Sequence, residues 1–178
     1  MRFLILYATV EGQTRKIAET LVSWLEEKGH NPTVTDVRQI GYCDPAEFDG
    51  VLACAPIHIN QYPEAFVNFI RDWKGSLAST KTVLITVSLA IASENADEVA
   101  EATAYPRSLE EETGWKADYE YNAAGALKYI EYDFFKRWMM RRIAYKEGGP
   151  VDTSKDHELT DWDDLKKFTE SFVDICAE

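Results

Sequence analysis

Hydrophobic and polar positions follow two different periods along the chain, and the two periods alternate. Continuous apolar runs occupy residues 3–8 and 51–55, and a third run at 82–88 is apolar apart from Thr82, Thr86 and Ser88. Such runs are typical of strands that are buried on both faces of a parallel sheet, because a half-exposed strand would alternate apolar and polar residues. Shorter or weaker runs at 33–35 and 118–125 complete a set of five predicted strands.

Between the strands, apolar residues recur at the spacing of an amphipathic helix. Helices are predicted over 14–28, 64–73, 96–113, 134–145 and a last stretch that ends at 177. Gly29 is placed to end the first helix, and Pro106 predicts a break in the third. The stretch from Thr160 to Asp163 resembles a capping box, with Asp in place of the usual Glu.

Strands that alternate with helices predict a right-handed parallel sheet with helices on both of its faces. Five strands at this spacing favour an α/β, flavodoxin-like doubly wound fold. We expect a single domain over 1–178, with an extra basic helical insertion after strand five at about 128–158. A ligand in such a fold binds beyond the carboxyl ends of the strands. The loops after strands one, three and four are therefore the candidate site.

The net charge of the chain and its distribution argue against some classes of protein. The formal net charge of −12 disfavours a general nucleic-acid binder, because phosphate repels an acidic surface. The charge is uneven, since 128–146 holds six basic and two acidic residues, whereas 94–120 holds nine acidic and two basic residues. No uncharged apolar run approaches the roughly 18 residues of a membrane span.

The cysteines argue against metal or disulfide chemistry. Cys43, Cys54 and Cys176 lie far apart and form no Cys-x-x-Cys pair, so no metal site is predicted. An odd number of cysteines without an evident signal peptide favours reduced thiols in a cytoplasmic protein. Cys54 sits in an apolar run and is expected to be a core residue.

The loop between the first strand and the first helix has the chemistry of an anion site. It consists of Thr9, Val10, Glu11, Gly12, Gln13 and Thr14. Its amides and the positive end of the helix can converge on one point. The absence of a Walker spacing and of G-x-G-x-x-G argues against a nucleoside triphosphate and a dinucleotide. A single terminal phosphate, as on FMN, fits best, although a simple turn and helix cap would use the same residues.

Two further loops end at the same edge of the predicted sheet. Pro56, Ile57, His58, Ile59, Asn60, Gln61 and Tyr62 follow strand three, and Ser88, Leu89 and Ala90 follow strand four. Asn60 can adopt the left-handed conformation that a turn needs. The loop backbone can hydrogen-bond the edge of a flavin ring, with Ile57, His58 or Tyr62 beside it. A solvent-facing His58 and a Tyr62 packed on the second helix are the alternatives.

Several short motifs together carry a family resemblance. In chain order they are Gly12-Gln13-Thr14, the stretch 57–66, Ala124-Gly125-Ala126-Leu127-Lys128-Tyr129, Gly148-Gly149, Asp152-Thr153 and Thr160-Asp161-Trp162. This order is similar to that of the flavodoxin-like protoporphyrinogen oxidases of haem synthesis, the menaquinone-dependent protoporphyrinogen dehydrogenases. The resemblance spans nearly the whole chain, and its late motifs are more specific than the phosphate loop that any flavodoxin shares.

The resemblance implies a chemistry as well as a fold. It implies one noncovalent FMN, oxidation of protoporphyrinogen IX to protoporphyrin IX, and a membrane quinone as electron acceptor in haem biosynthesis. It would place the flavin phosphate on 9–14 and the ring between 56–62 and 88–90. The chemistry would be that of the flavin, and no catalytic acid or base is assigned.

The segment 134–146 combines aromatic and basic side chains. A substrate or membrane surface is predicted from Lys136, Arg137, Trp138, Arg141 and Arg142. Such a segment can lie on an anionic bilayer, here the inner face of the cell membrane, or bind the carboxylates of a tetrapyrrole. It can equally pack its aromatic side chains on the protein body.

Two competing functions remain open from the sequence, as does a homo-oligomeric state. One is a soluble flavodoxin-like carrier that transfers electrons between proteins without a small-molecule substrate. The other is a non-flavin binding or signalling domain on the same fold. A phospho-acceptor receiver would need an acidic pair at the end of the first strand, and Tyr7-Ala8-Thr9 offers none.

Overall fold

A computed structural model describes residues 1–39, 41, 43–127 and 157–178 of the protein. The strands are β1 (Arg2–Tyr7), β2 (Asn31–Asp36), β3 (Gly50–Pro56), β4 (Lys81–Ser88), β5 (Tyr119–Ala124), β6 (Ala126–Leu127) and β7 (His157–Glu158). The helices are α1 (Gln13–Glu27), α2 (Glu64–Leu77), α3 (Ala96–Thr113) and α4 (Trp162–Ala177), with short 3-10 turns at Pro45–Glu47 and Ala90–Ala92.

Five strands form one parallel sheet in the order β2-β1-β3-β4-β5. This is the flavodoxin-like order of a doubly wound sheet, and it confirms the predicted fold class. The order reverses between β1 and β3, so loops from both sides of the switch point meet at one edge of the sheet.

Both faces of the sheet are buried, as the continuous apolar runs predicted. Phe3 and Ile5 of β1 pack in the cluster under α1 and α4, whereas Leu4 and Leu6 pack in the cluster under α2 and α3. All four side chains are 0% exposed. Burial of apolar surface on this scale stabilises the sheet and fixes the positions of the loops at its carboxyl edge.

The predicted break in the third helix is wrong. α3 runs from Ala96 to Thr113 with Pro106 inside it. Proline removes one helical N–H, but Pro106 lies on a stripe with Ala102 and Leu109, and all three side chains are buried against the body. Burial of this stripe outweighs the lost hydrogen bond.

The start of the last helix also differs from the prediction in its capping residue. Asp161 is the N-cap of α4, and its carboxylate accepts a hydrogen bond from the amide of Asp164 at 3.0 Å. Thr160 does not cap the helix, because its hydroxyl donates to the carbonyl of Ala124 at 2.7 Å. Thr160 thus ties the chain to the end of β5.

The short antiparallel pair of β6 and β7 has no counterpart in the sequence prediction. Ala126 lies opposite Glu158 and Leu127 lies opposite His157. The predicted helix at 134–145 and the proposed surface residues Lys136, Arg137, Trp138, Arg141 and Arg142 lie outside the described residues. Among the helices of the described ranges, none combines the length and the apolar character needed to cross a bilayer.

Candidate functional site

A cavity of about 260 Å³ lies at the carboxyl edge of the sheet, at the switch point. Three loops enclose it: the first loop (9–14), the second loop (56–62) and the third loop (88–90). The lining residues are Thr9, Val10, Glu11, Gln13, Thr14, Pro56, Ile57, His58, Ile59, Asn60, Val87, Ser88, Leu89, Ala90, Tyr105, Gly125 and Ala126. The structure therefore brings most of the predicted cofactor-binding residues to one cavity.

The first loop presents hydrogen-bond donors that no other described group uses. Gly12 adopts a left-handed conformation with φ of 96° immediately before α1, and its amide donates to the Thr9 hydroxyl at 2.9 Å. The amides of Val10, Glu11 and Gln13 donate to no residue of the described ranges. The first N–H groups of a helix have no partner within the helix, so this loop is a cluster of free donors.

Thr14 adds a hydroxyl to this cluster. The residue is 1% exposed and lines the cavity, and its hydroxyl has no hydrogen-bond partner among the described residues. The hydroxyl is therefore available to a ligand in the cavity. The arrangement fits a phosphate group, which offers oxygen acceptors to several donors at once.

The second loop closes on itself as a two-residue turn. His58 and Gln61 exchange backbone hydrogen bonds of 3.0 and 3.2 Å. The two residues between them, Ile59 and Asn60, have φ of 49° and 58°. The left-handed Asn60 confirms the prediction, but the left-handed Ile59 was not predicted. A β-branched residue with positive φ is strained, and Ile59 is 78% exposed at the cavity.

The third loop is held by the strand ends beside it. The Ser88 hydroxyl accepts a hydrogen bond from the Ile91 amide at 3.3 Å, and the Ser88 carbonyl accepts one from the Gly125 amide at 3.2 Å. Gly125 and Ala126 line the cavity on the far side of this contact. The loop is thereby joined to the end of β5.

Three predicted residues do not line the cavity: Gly12, Gln61 and Tyr62. Tyr62 agrees with the alternative in which it packs on the second helix, because it is 6% exposed and its ring stacks on Phe66 with 5.8 Å between the centroids. Its hydroxyl pairs with the Thr86 hydroxyl at 2.7 Å, and burial raises the pKa of the phenol. Tyr62 therefore supports the second loop from the core. Gly12 acts through its backbone, and Gln61 closes the turn.

Four lining residues were missed from the sequence: Val87, Tyr105, Gly125 and Ala126. Tyr105 was assigned to a helix break, yet the continuous α3 places it at the cavity. Its hydroxyl lies 3.4 Å from Asn60 Oδ1, and its ring meets Tyr62 edge-on with 6.5 Å between the centroids. Burial, and to a lesser degree Glu101, raises the pKa of Tyr105. Gly125 and Ala126 belong to the motif of the resemblance and could have been found from it.

The charges of the cavity are few. Among the described lining residues, Glu11 is the one carboxylate, and none is lysine or arginine. The residues present fit the phosphate end of FMN through neutral donors, namely the loop amides and the Thr14 hydroxyl. The like charge of Glu11 opposes that fit.

Comparisons with known proteins agree with this geometry. A family model described as a flavodoxin domain matches residues 4–154. The chain is 31% identical over 175 residues to the Escherichia coli (strain K12) protein named protoporphyrinogen IX dehydrogenase [quinone], and the match covers 98% of this chain and 96% of that protein. A Leishmania major protein of the same name is 28% identical, over 96% of this chain and 74% of its own length.

Solved structures show the same fold. Oxidised flavodoxin 1 from Bacillus cereus superposes with a TM-score of 0.58 at 15% identity, over 98% of both chains. A flavodoxin from the domain Archaea has a TM-score of 0.57 at 11% identity, over 100% of both chains. The chain therefore belongs to the flavodoxin domain family and, within it, to the relatives of the protoporphyrinogen IX dehydrogenases.

Proposed function

We propose that the chain is an FMN-dependent oxidoreductase that oxidises protoporphyrinogen IX to protoporphyrin IX and uses a quinone as electron acceptor in haem biosynthesis. The observation that carries the proposal is the similarity to the Escherichia coli relative of that name, which extends over 98% of this chain. Membership of the flavodoxin domain family supports a flavin as cofactor. The donor-rich cavity at the switch point supports FMN in particular, because FMN ends in a single phosphate.

The cofactor, when bound, would supply the redox chemistry: the oxidation removes six electrons and six protons from protoporphyrinogen IX, and these reduce three quinones to quinols. The protein supplies binding, orientation and electrostatics. In our proposal the first loop binds the phosphate through the amides of Val10, Glu11 and Gln13 and the hydroxyl of Thr14. Because these donors are neutral, affinity depends on their geometry more than on net charge.

In this proposal the second and third loops bind the flavin ring of FMN. The amides of Ile59 and Asn60 lie at the tip of the turn and donate to no described residue. They are the donors we assign to the edge of the ring. The apolar side chains of Ile57 and Leu89 flank the same space and exclude water from it. Tyr62 and Tyr105 hold the second loop in place from below and from the side.

The proposal is tested with the purified full chain in two steps. FMN is first added to the flavin-free protein, and quenching of flavin fluorescence reports binding. Protoporphyrinogen IX and a menaquinone analogue are then supplied without oxygen, and porphyrin fluorescence reports turnover. We expect porphyrin to form only when protein, FMN and quinone are all present. FMN binding without porphyrin above the uncatalysed background would instead support an electron carrier, and an absence of FMN binding would overturn the whole proposal.

A further inference from the structure

One cluster of polar side chains joins a lining residue of the cavity, Gln13, to three residues that do not line it. We call it the clasp, and it consists of Gln13, Lys16, Glu158 and Thr160. Gln13 Nε2 donates to Glu158 Oε1 at 2.7 Å and to the Thr160 hydroxyl oxygen at 2.9 Å. Lys16 Nζ donates to both carboxylate oxygens of Glu158 at 2.9 and 2.8 Å. Two residues near the end of the chain thus hold the first turns of α1.

The same two residues also hold the opposite wall. Glu158 pairs with Ala126 in the β6–β7 ladder, and the Thr160 hydroxyl donates to the Ala124 carbonyl at 2.7 Å. Between them, the amide of Leu159 donates to the carbonyl of Gly125 at 3.1 Å. Gln13, Gly125 and Ala126 all line the cavity. The stretch 158–160 therefore joins the wall that begins α1 to the wall that follows β5.

The clasp is partly shielded from water. Thr160 is 9% exposed, and the side chain of Glu158 is 30% exposed. Lys16 Nζ lies 5.4 Å from the ring centroid of Trp162, which adds a cation–π contact. Burial alone would raise the pKa of Glu158, but the hydrogen bonds from Lys16 and Gln13 outweigh it and lower the pKa. The carboxylate is thus charged and fully engaged at neutral pH.

We propose that Glu158 and Thr160 are positioning residues for the cofactor, which act by holding Gln13 so that the amides of the first loop stay aligned for the phosphate. The inference rests on the proposed function. Neither residue lines the cavity, so neither touches the cofactor. Their effect passes through the side chain of Gln13, whose Nε2 donates to both. A predicted phosphate-loop residue thereby depends on a contact about 145 positions away in the chain.

The test compares FMN with riboflavin, which lacks the phosphate. Glu158→Ala removes the carboxylate, and Thr160→Val replaces the hydroxyl by a methyl group of similar shape. We expect each variant to raise the Kd for FMN about three- to tenfold, which corresponds to the loss of one or two hydrogen bonds. The Kd for riboflavin should stay within about twofold, because the phosphate end of the site is the part that the clasp aligns.

Glu170→Ala is the matched control. Glu170 of α4 pairs with Lys28 at 3.2 Å beyond the end of α1 that lies away from the first loop. The substitution Glu170→Ala removes an ion pair whose exposure is similar to that of the pair between Lys16 and Glu158. It leaves all four residues of the clasp unchanged. We expect both Kd values to be unchanged in this variant.

The outcomes separate the inference from the proposed function. If the unmodified protein binds FMN but Glu158→Ala and Thr160→Val bind it equally well, the inference is overturned and the proposed function stands. Equal losses for FMN and riboflavin, or an equal loss in Glu170→Ala, would show a general effect on stability and also overturn it. If the unmodified protein binds no FMN, the proposed function itself fails.

Discussion

The first and second loops both contribute residues to the cavity lining, yet they differ in backbone conformation and in hydrogen bonding. The first loop uses a glycine for its left-handed residue and leaves the amides of Val10, Glu11 and Gln13 without partners. The second loop pairs His58 with Gln61 and places two non-glycine residues in the left-handed region. The first loop therefore has an unstrained backbone but backbone amides without hydrogen-bond partners. The second loop has a strained backbone, and its turn is closed by backbone hydrogen bonds.

This difference indicates a division of roles. Free donors are stabilised when a ligand supplies acceptors, so in our proposal the first loop contributes affinity for an anion. A closed turn with an exposed apolar side chain contributes shape and contact, and its strain is held by the surrounding structure. Asn60 and Tyr105 supply part of that support through their 3.4 Å contact.

The largest effect is expected from Gly12→Ala. A Cβ at φ of 96° is strained, and relief of the strain would turn the neighbouring amides away from their common point. We expect the free energy of unfolding to fall by about 1–2 kcal/mol and the Kd for FMN to rise about tenfold or more. Chemical denaturation and quenching of flavin fluorescence measure the two quantities.

Gly29→Ala is the control for strain alone. Gly29 has φ of 78° after α1, and an added Cβ there meets no atom within 4 Å. Gly29→Ala should lower the free energy of unfolding about as much as Gly12→Ala does, and it should leave the Kd for FMN unchanged. Equal Kd values for Gly12→Ala and the unmodified protein would refute the assignment of the first loop to the phosphate.

The substitution Ile59→Gly is expected to raise the free energy of unfolding, by less than Gly12→Ala lowers it. Glycine tolerates φ of 49°, so the substitution relieves the strain of a β-branched residue and removes little buried surface. We expect the free energy of unfolding to rise by about 0.5–1 kcal/mol, after the entropic cost of glycine. Thermal and chemical denaturation of the flavin-free protein measure it. Val34→Gly is the matched control, because Val34 is 40% exposed in β2, and glycine weakens a strand. A loss of stability in both variants would contradict the interpretation of strain.

The smallest effect is expected from Glu11→Gln. The substitution removes a negative charge from the first loop while it keeps the shape of the side chain. We expect the Kd for FMN to fall about two- to fivefold at low salt, because repulsion at a partly exposed site is screened by water. The gain should shrink at high salt and be absent for riboflavin. Glu19→Gln, which affects the exposed pair of Glu19 with Arg15 on α1, is the control and should leave the Kd unchanged.

The fold was predictable because local patterns determine most of it. The run at 3–8 is continuously apolar, as expected of a strand in a sheet covered on both faces, and Gly29 follows α1 with the positive φ that its position requires. The pair of β6 and β7 was not predictable, because two-residue strands carry no periodicity and form only when distant parts of the chain meet. The continuity of α3 was missed since burial of Pro106 overrides a local rule.

In the candidate site, too, the features that local sequence determines were predictable and those that depend on long-range contacts were not. Loops at the ends of buried strands could be located from strand order, which is why 9–14, 56–62 and 88–90 surround one cavity. The left-handed Ile59 contradicts residue preference and is imposed by the turn around it. The packing of Tyr62 on the second helix was one of two alternatives from the sequence, but its hydrogen bond with the hydroxyl of Thr86 was not predicted. Glu158 lies far from the loops in the chain and meets Gln13 only in the folded state.

The pairing of β6 with β7 also has a consequence for how the sequence between these two strands can vary among related proteins. Leu127 and His157, which flank the sequence 128–156, lie directly opposite each other in this ladder. Substituting, lengthening or trimming the sequence between these two positions therefore changes no spacing within the parallel sheet. Insertions and deletions between these two positions can therefore accumulate while the five strands keep their register.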